Sequence, residues 1–191
     1  MAASERQYPL EILKPGPIRG TARDIVSEWV AGFEPLDFEA GRKAKAWLET
    51  NLAAEILPLR TYFVFNDKDE SELYGFFVLD QIEVKVAAGD IPIMQVRDAI
   101  DDPLSERHPA TKLVWIARSK ASPRGLGSEL FDYALLEATR AKSCALMVDA
   151  FDEETAENLW IKHYDLRKPR NGADEWASLW HSVGKADQTF N

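Results

Sequence analysis

Between Arg118 and Ser128 the chain reads Arg-Ser-Lys-Ala-Ser-Pro-Arg-Gly-Leu-Gly-Ser, with three cations (Arg118, Lys120, Arg124) and the glycines Gly125 and Gly127. The apolar run Lys112 to Ala117 precedes it. After it, Leu130, Phe131, Ala134, Leu135 and Ala138 form one apolar stripe at helical spacing. A buried strand that turns through glycines into a helix makes an anion site. The first helical turn leaves backbone N–H groups without partners, and the helix dipole favours negative charge there. Glycines let that backbone approach a phosphate with no Cβ in the way. A Gly-x-Gly alone often does no more than start a helix. Strand, basic loop, paired glycines and apolar helix together predict a diphosphate site.

The remaining elements decide what stands around that loop. Leu10 to Leu13 reads as a short strand, set apart by Pro15-Gly16-Pro17. Phe38, Ala44, Trp47, Leu48 and Leu52 recur at helical spacing, with Asp37 as the expected N-cap. Thr61 to Phe65 and Leu73 to Val78 read as strands of an antiparallel hairpin, with the polar stretch between them as its turn. Ile82 to Val86 extends the sheet, and residues 87–110 read as mostly loop, with a short strand at Ile91 to Val96. Lys112 to Ala117 and Cys144 to Val148 read as buried strands. Asp152 to His163 reads as a helix with Ala156, Leu159 and Trp160 on one face, and the region of Trp176, Leu179 and Trp180 as one or two closing strands. The order is that of a mixed α/β sheet, mostly antiparallel, with one parallel crossover and flanking helices.

At 191 residues, 46% apolar and 29% charged, the chain is expected to form a single domain spanning residues 1–191. No apolar run reaches the roughly 20 residues a membrane helix needs. The segment Met1 to Leu13 is charged rather than secretory, and the lone Cys144 fits a reducing, cytoplasmic setting. The net charge of −9 argues against nucleic acid as a partner unless cations gather on one face. They cluster as Lys112, Arg118, Lys120 and Arg124, and again as Lys162, Arg167, Lys168 and Arg170.

The stretch from Lys112 to Leu130 resembles the acetyl-CoA-binding motif of the GNAT superfamily, Gln/Arg-x-x-Gly-x-Gly/Ala, with Gly125 and Gly127 at the glycine positions. Ala145 to Trp160, including Val148-Asp149-Ala150-Phe151-Asp152-Glu153, is similar to the strand and helix that follow in toxin-type members from bacterial toxin–antitoxin modules. The resemblance covers most of residues 30–166. It implies acetyl-CoA as cosubstrate, its pantetheine arm pairing with Trp115, Ile116, Ala117 and Arg118 as an added strand would. It also implies that Arg124, Gly125, Leu126, Gly127 and Ser128 hold the pyrophosphate. Two positions depart from the motif: Ser122 stands at its Gln/Arg position, and Pro123 offers no N–H.

Acetyl transfer from a thioester to an amine requires a deprotonated amine, a stabilised oxyanion and a proton for the departing thiolate. The resemblance implies a Tyr as general acid on the helix after the fifth strand, but that position is Trp160, whose indole is a donor without acidity. Tyr164, one helical turn on, is the candidate replacement. Departure of the thiolate without a protein acid, or a scaffold that binds the cosubstrate without turnover, are the alternatives. The family's Gly-Phe ending is also absent, with Tyr164-Asp165-Leu166 in its place. His163 is a candidate base on a surface helix. Asp80 and Glu83 could act through water but read as solvated charges, and Cys144 reads as packing. No metal site is read.

The acceptor implied by the resemblance to toxin-type members is the amino group of an aminoacyl-tRNA. The charge of −9 favours a small amine, a peptide N-terminus or a Lys side chain. A homodimer and a non-enzymatic interaction domain both stay open.

Overall fold

A computed structural model describes residues 10–13, 21–36, 39–58, 60–66, 69–85, 107–150, 154, 156–166 and 178–182. The elements are β1 (Leu10–Leu13), α1 (Thr21–Gly32), α2 (Glu39–Ala53), β2 (Thr61–Asn66), β3 (Asp69–Lys85), β4 (Arg107–Arg118), α3 (Leu126–Arg140) and β5 (Ala145–Asp149). A π-helical segment (Ala156–Ile161), α4 (Lys162–Tyr164) and β6 (Ser178–Ser182) complete the order. The strands hydrogen-bond in the order β1-β2-β3-β4-β5-β6. Among the described pairings only β4 and β5 run parallel, and α3 makes that crossover. The expected mixed sheet is the one observed.

The chain divides into two compact units, Met1–Val78 with Trp115–Leu130, and Leu79–Val114 with Phe131–Asn191. In the first, α2 buries Gly41, Ala44, Leu48 and Leu52, one face at helical spacing. That face meets Val26, Val30 and Phe33 of the α1 region and Phe63, Phe65, Phe76 and Val78 of the sheet. Aromatic edges lock the layer: Trp29 lies 4.5 Å from Phe65, and Phe33 lies 5.6 Å from Phe76. Apolar area removed from water supplies most of the stabilisation here, at roughly 25 cal/mol per Å².

In the second unit β4 and β5 run parallel from Thr111↔Leu146 to Leu113↔Val148, and β6 pairs antiparallel with β5. The buried hydroxyls of Thr111 and Ser143 share a 2.7 Å hydrogen bond, and Gln81 Nε2 donates to Thr111 Oγ1 at 2.6 Å. These contacts satisfy polar groups that would otherwise be costly to bury.

Several boundaries differ from the expectation. The segments expected as separate strands near Leu73 and Ile82 form one strand, β3, and the hairpin turn is shorter because Asn66 pairs with Asp69. A register shift between Val64 and Asn66 absorbs the polar residues that read as turn. His108, Pro109 and Ala110 belong to β4 rather than to a loop. Pro109 has no N–H to give, but its carbonyl still joins the backbone network, accepting the Cys144 N–H at 2.8 Å. Leu159 is 39% exposed whereas Trp160 is buried, so they do not share a buried face. With more residues per turn, the π-helical winding carries position 159 off the face of position 156, while position 160 stays close to it. Asp37, Trp176, Val86 and the expected strand at Ile91 to Val96 lie outside the described residues.

Candidate functional site

The glycine loop stands where the sequence places it, at the join of β4 and α3. Gly125 has φ 97°, a conformation L side chains rarely adopt, so glycine is required by the turn itself. The loop spends several of its own donors. Ser122 N–H and Ser122 Oγ both donate to the Ser119 carbonyl, at 3.2 and 2.6 Å. Leu126 N–H donates to the Pro123 carbonyl and Ser128 N–H to the Gly125 carbonyl. Among the described residues the N–H groups of Gly125 and Gly127 have no acceptor. Of the five loop residues expected to hold a pyrophosphate, these two glycines carry available backbone donors. Ser122, at the motif's Gln/Arg position, instead braces the loop from inside: it is buried, and Arg118 Nη1 lies 3.5 Å from its hydroxyl.

Leu126 does different work. It is fully buried, and with Leu130 it approaches Gly75 of β3. A Cβ on Gly75 would sit 2.8 Å from the Ala117 carbonyl oxygen and 3.1 Å from Leu130 Cδ1. Gly75 therefore sets how closely α3 and the end of β4 approach β3. Sequence reasoning did not assign it. The signal was a lone Gly inside the aromatic strand Leu-Tyr-Gly-Phe-Phe-Val.

At the end of β4, alternation sorts the backbone groups of Trp115, Ile116, Ala117 and Arg118. Ser119 N–H donates to Tyr74 on β3 at 2.7 Å, so Trp115 and Ala117 turn their backbone groups toward β3. Ile116 and Arg118 turn theirs to the opposite edge. There the Arg118 carbonyl accepts the Leu36 N–H at 3.3 Å, and Pro35 bridges to Ser119. Lys120 N–H donates to the Glu34 carbonyl at 2.8 Å, so the segment after α1 is stitched to the chain leaving β4. The Trp115 side chain packs on Trp47 of α2, with ring centroids 5.9 Å apart. No sequence signal marked the Glu34–Leu36 segment.

Tyr164 belongs to the other unit. It is the last residue of α4, half-buried, with its ring 4.4 Å from Phe131 and 5.4 Å from Trp160. Asp165 ends the helix at φ 53°, ψ 32°, and Leu166 N–H closes onto the Trp160 carbonyl at 3.2 Å with its side chain buried. Asp165-Leu166 thus takes the left-handed stop and buried apolar anchor that a Gly-Phe ending would provide. His163, Asp80 and Glu83 are exposed. Lys112, grouped by sequence with the loop cations, pairs with Asp149 on β5. Burial pushes the Cys144 thiol up to about 11, against the opposing pull of a backbone hydrogen bond, which keeps it a neutral packing group.

No protein-family model matches the chain, and no curated protein matches it in sequence. Solved structures do match in shape. AtaT complexed with acetyl-methionyl-tRNAfMet is 14% identical with a TM-score of 0.59, over 92% of this chain and 94% of that one. A tyrosine-to-phenylalanine variant of KacT is 17% identical with a TM-score of 0.61, over 91% of this chain and 95% of that one. A mutant AtaT toxin bound to the C-terminus of the antitoxin AtaR and acetyl-CoA is 15% identical with a TM-score of 0.56, over 92% of each chain. At such identities the likeness establishes the fold, and the fold is the GNAT type shared with these toxin structures.

Proposed function

We propose that the protein is an N-acetyltransferase that moves the acetyl group of acetyl-CoA to a primary amine. The observation that carries the reading is the join of β4 to α3, where Gly125 and Gly127 offer N–H groups beside Arg118 and Arg124. Neighbours of the same fold with acetyl-CoA bound support it.

The residues present fit such a cosubstrate. A Cβ at Gly125 would be strained by its φ, and the two glycine amides would receive the pyrophosphate with Arg124 adding charge. On β4, Ile116 would pair with the pantetheine arm through its N–H and carbonyl, with the Arg118 carbonyl already shared with Leu36. When bound, acetyl-CoA supplies an activated acetyl group. Tyr164, held by Phe131 and Trp160, would be the proton donor to the leaving sulfur. Trp160 would hold Tyr164 in place, since its indole N–H has no acidity to give.

The acceptor proposed from the acidic chain is a small amine, a peptide N-terminus or a Lys side chain. A second reading, an aminoacyl-tRNA acceptor, is favoured by the AtaT complex with acetyl-methionyl-tRNAfMet. Release of free CoA thiol is the test, across a panel of amines, peptides and aminoacyl-tRNA. Amine-dependent release supports the transferase. Acetyl-CoA binding with no release on any acceptor would leave a cosubstrate-binding domain instead, and absence of binding would overturn the whole reading.

A further inference from the structure

Two tryptophans of the first unit stand beside the strand edge at Ile116. Trp47 of α2 and Trp115 of β4 meet with ring centroids 5.9 Å apart and planes tilted by 40°. Both are half-buried against the α1–α2 layer, whereas Phe33, Phe63, Phe65 and Phe76 of that layer are buried. Trp47 lies one position off the buried stripe Gly41, Ala44, Leu48 and Leu52, so part of its ring stays in water. Tryptophan N–H groups ordinarily find an acceptor when a fold takes them in. Among the described residues neither of these indole N–H groups has one, and neither nitrogen is closed off from the surface. A half-wet aromatic pair with both donors unspent is more than the packing of this layer requires.

The fold decides what these rings face. Along β3, Gly75 meets Leu126 and Leu130 of α3, whereas its neighbour Phe76 belongs to the α1–α2 layer. Side chains alternate across a strand, so α3 and α2 cover opposite faces of the sheet. The glycine loop at the start of α3 draws the cosubstrate's phosphates to the α3 face. An arm paired with Ile116 as an added strand lies in the sheet plane, about 4.8 Å from β4. The α2 face of that arm is the side left for an acceptor, and there the wall is Trp115 with Trp47.

We propose that Trp47 and Trp115 form the platform that selects the acceptor, and that the acceptor is a primary amine carrying an aromatic or branched aliphatic group on the carbon next to nitrogen. This deepens the transferase reading and rests on it, since the platform is placed by the arm at Ile116. The group lies on the indoles and removes their exposed faces from water. An amine without such a group, glycine amide for instance, leaves the rings wet.

The test compares phenylalanine amide, leucine amide and glycine amide as acceptors for the full chain, by thiol release. The wild type should favour the first two over glycine amide by about tenfold or more in kcat/KM. Trp47→Ala should bring that ratio close to one, and Trp47→Phe, which keeps an aromatic face, should retain most of it. A ratio within one protein is unaffected by the folded fraction, so a merely structural role of Trp47 would not move it. Trp29→Phe is the control, since Trp29 packs on Phe65 at 4.5 Å in the same layer and should leave the ratio unchanged. A second measurement needs no turnover: the indole N–H resonances of the six tryptophans, followed by ¹H–¹⁵N NMR in the presence of CoA. Trp47→Phe and Trp115→Phe assign two of them, and phenylalanine amide should shift both while glycine amide leaves them nearly still. No preference in the wild type, a preference kept by Trp47→Ala, or indole signals that do not move would overturn the platform. Should none of the amides be acetylated while the two indoles shift, transfer to these amines fails and the platform stands.

Discussion

Replacing Gly75 by Ala adds one methyl group at the place where three elements meet. The new Cβ would stand 2.8 Å from the Ala117 carbonyl oxygen, which is backbone, and 3.1 Å from Leu130 Cδ1, which can rotate. Leu130 can yield; the carbonyl can retreat only if the end of β4 or of β3 moves by a few tenths of an ångström. Overpacking of this kind costs about 1–3 kcal/mol. The lower chain entropy of Ala in the unfolded state offsets about 0.4–1 kcal/mol of it. At roughly 2–4 °C per kcal/mol for a chain of this length, the melting temperature should fall by several degrees. Acetyl-CoA affinity should fall as well, because the displaced groups adjoin Ile116 and the glycine loop. Gly32→Ala is the control, since a Cβ there meets nothing within 4 Å. Thermal melts with an acetyl-CoA titration on both variants decide the matter. If Gly75→Ala matches Gly32→Ala in melting temperature and affinity, Gly75 does not set the approach of α3 to the sheet.

Tyr164→Phe should keep packing against Phe131 and cosubstrate affinity while turnover falls by ~10²–10⁴, measured by thiol release; near wild-type turnover would refute its role as acid. Cys144, with its thiol pushed up to about 11, should resist a thiol-selective reagent at pH 8 in the native state and react on unfolding. Because its folded pKa is raised, the native state loses stability as pH rises above the unfolded thiol value near 9, and denaturant midpoints between about pH 9 and 11 should show it. Gel-shift titration with bulk tRNA should show no submicromolar binding at physiological salt. Tight, steeply salt-dependent binding would favour the aminoacyl-tRNA acceptor.

The parallel crossover was legible because its strands and helix announce themselves locally: the apolar run before Ala117, Gly125, and the stripe from Leu130 to Ala138. β3 was harder, since Glu70, Ser71 and Glu72 look like turn residues and become strand through a register shift with β2. Pro109 hid the start of β4, because a proline reads as a break until its carbonyl is seen accepting Cys144 N–H. Leu159 was misplaced because a 3.6-residue period was applied to π-helical winding, whereas Trp160 is buried as its spacing suggests. The segment Glu34–Leu36 depends on long-range pairing with Arg118–Lys120 that no local pattern encodes. The Asp165-Leu166 ending shows the reverse case, in which changed letters keep the left-handed stop and the buried anchor.

The central claim is that the β4–α3 loop binds acetyl-CoA. A thermal melt of the wild-type chain in acetyl-CoA at ~100 times its Kd, beside the same melt of Gly125→Asp, tests it most directly. Stabilisation of about 2.7 kcal/mol is expected for the wild type, a rise of roughly 5–10 °C, and none for Gly125→Asp, whose side chain is strained at φ 97° and adds a negative charge to the phosphate cradle. No shift in the wild type, or an equal shift in both proteins, would contradict it.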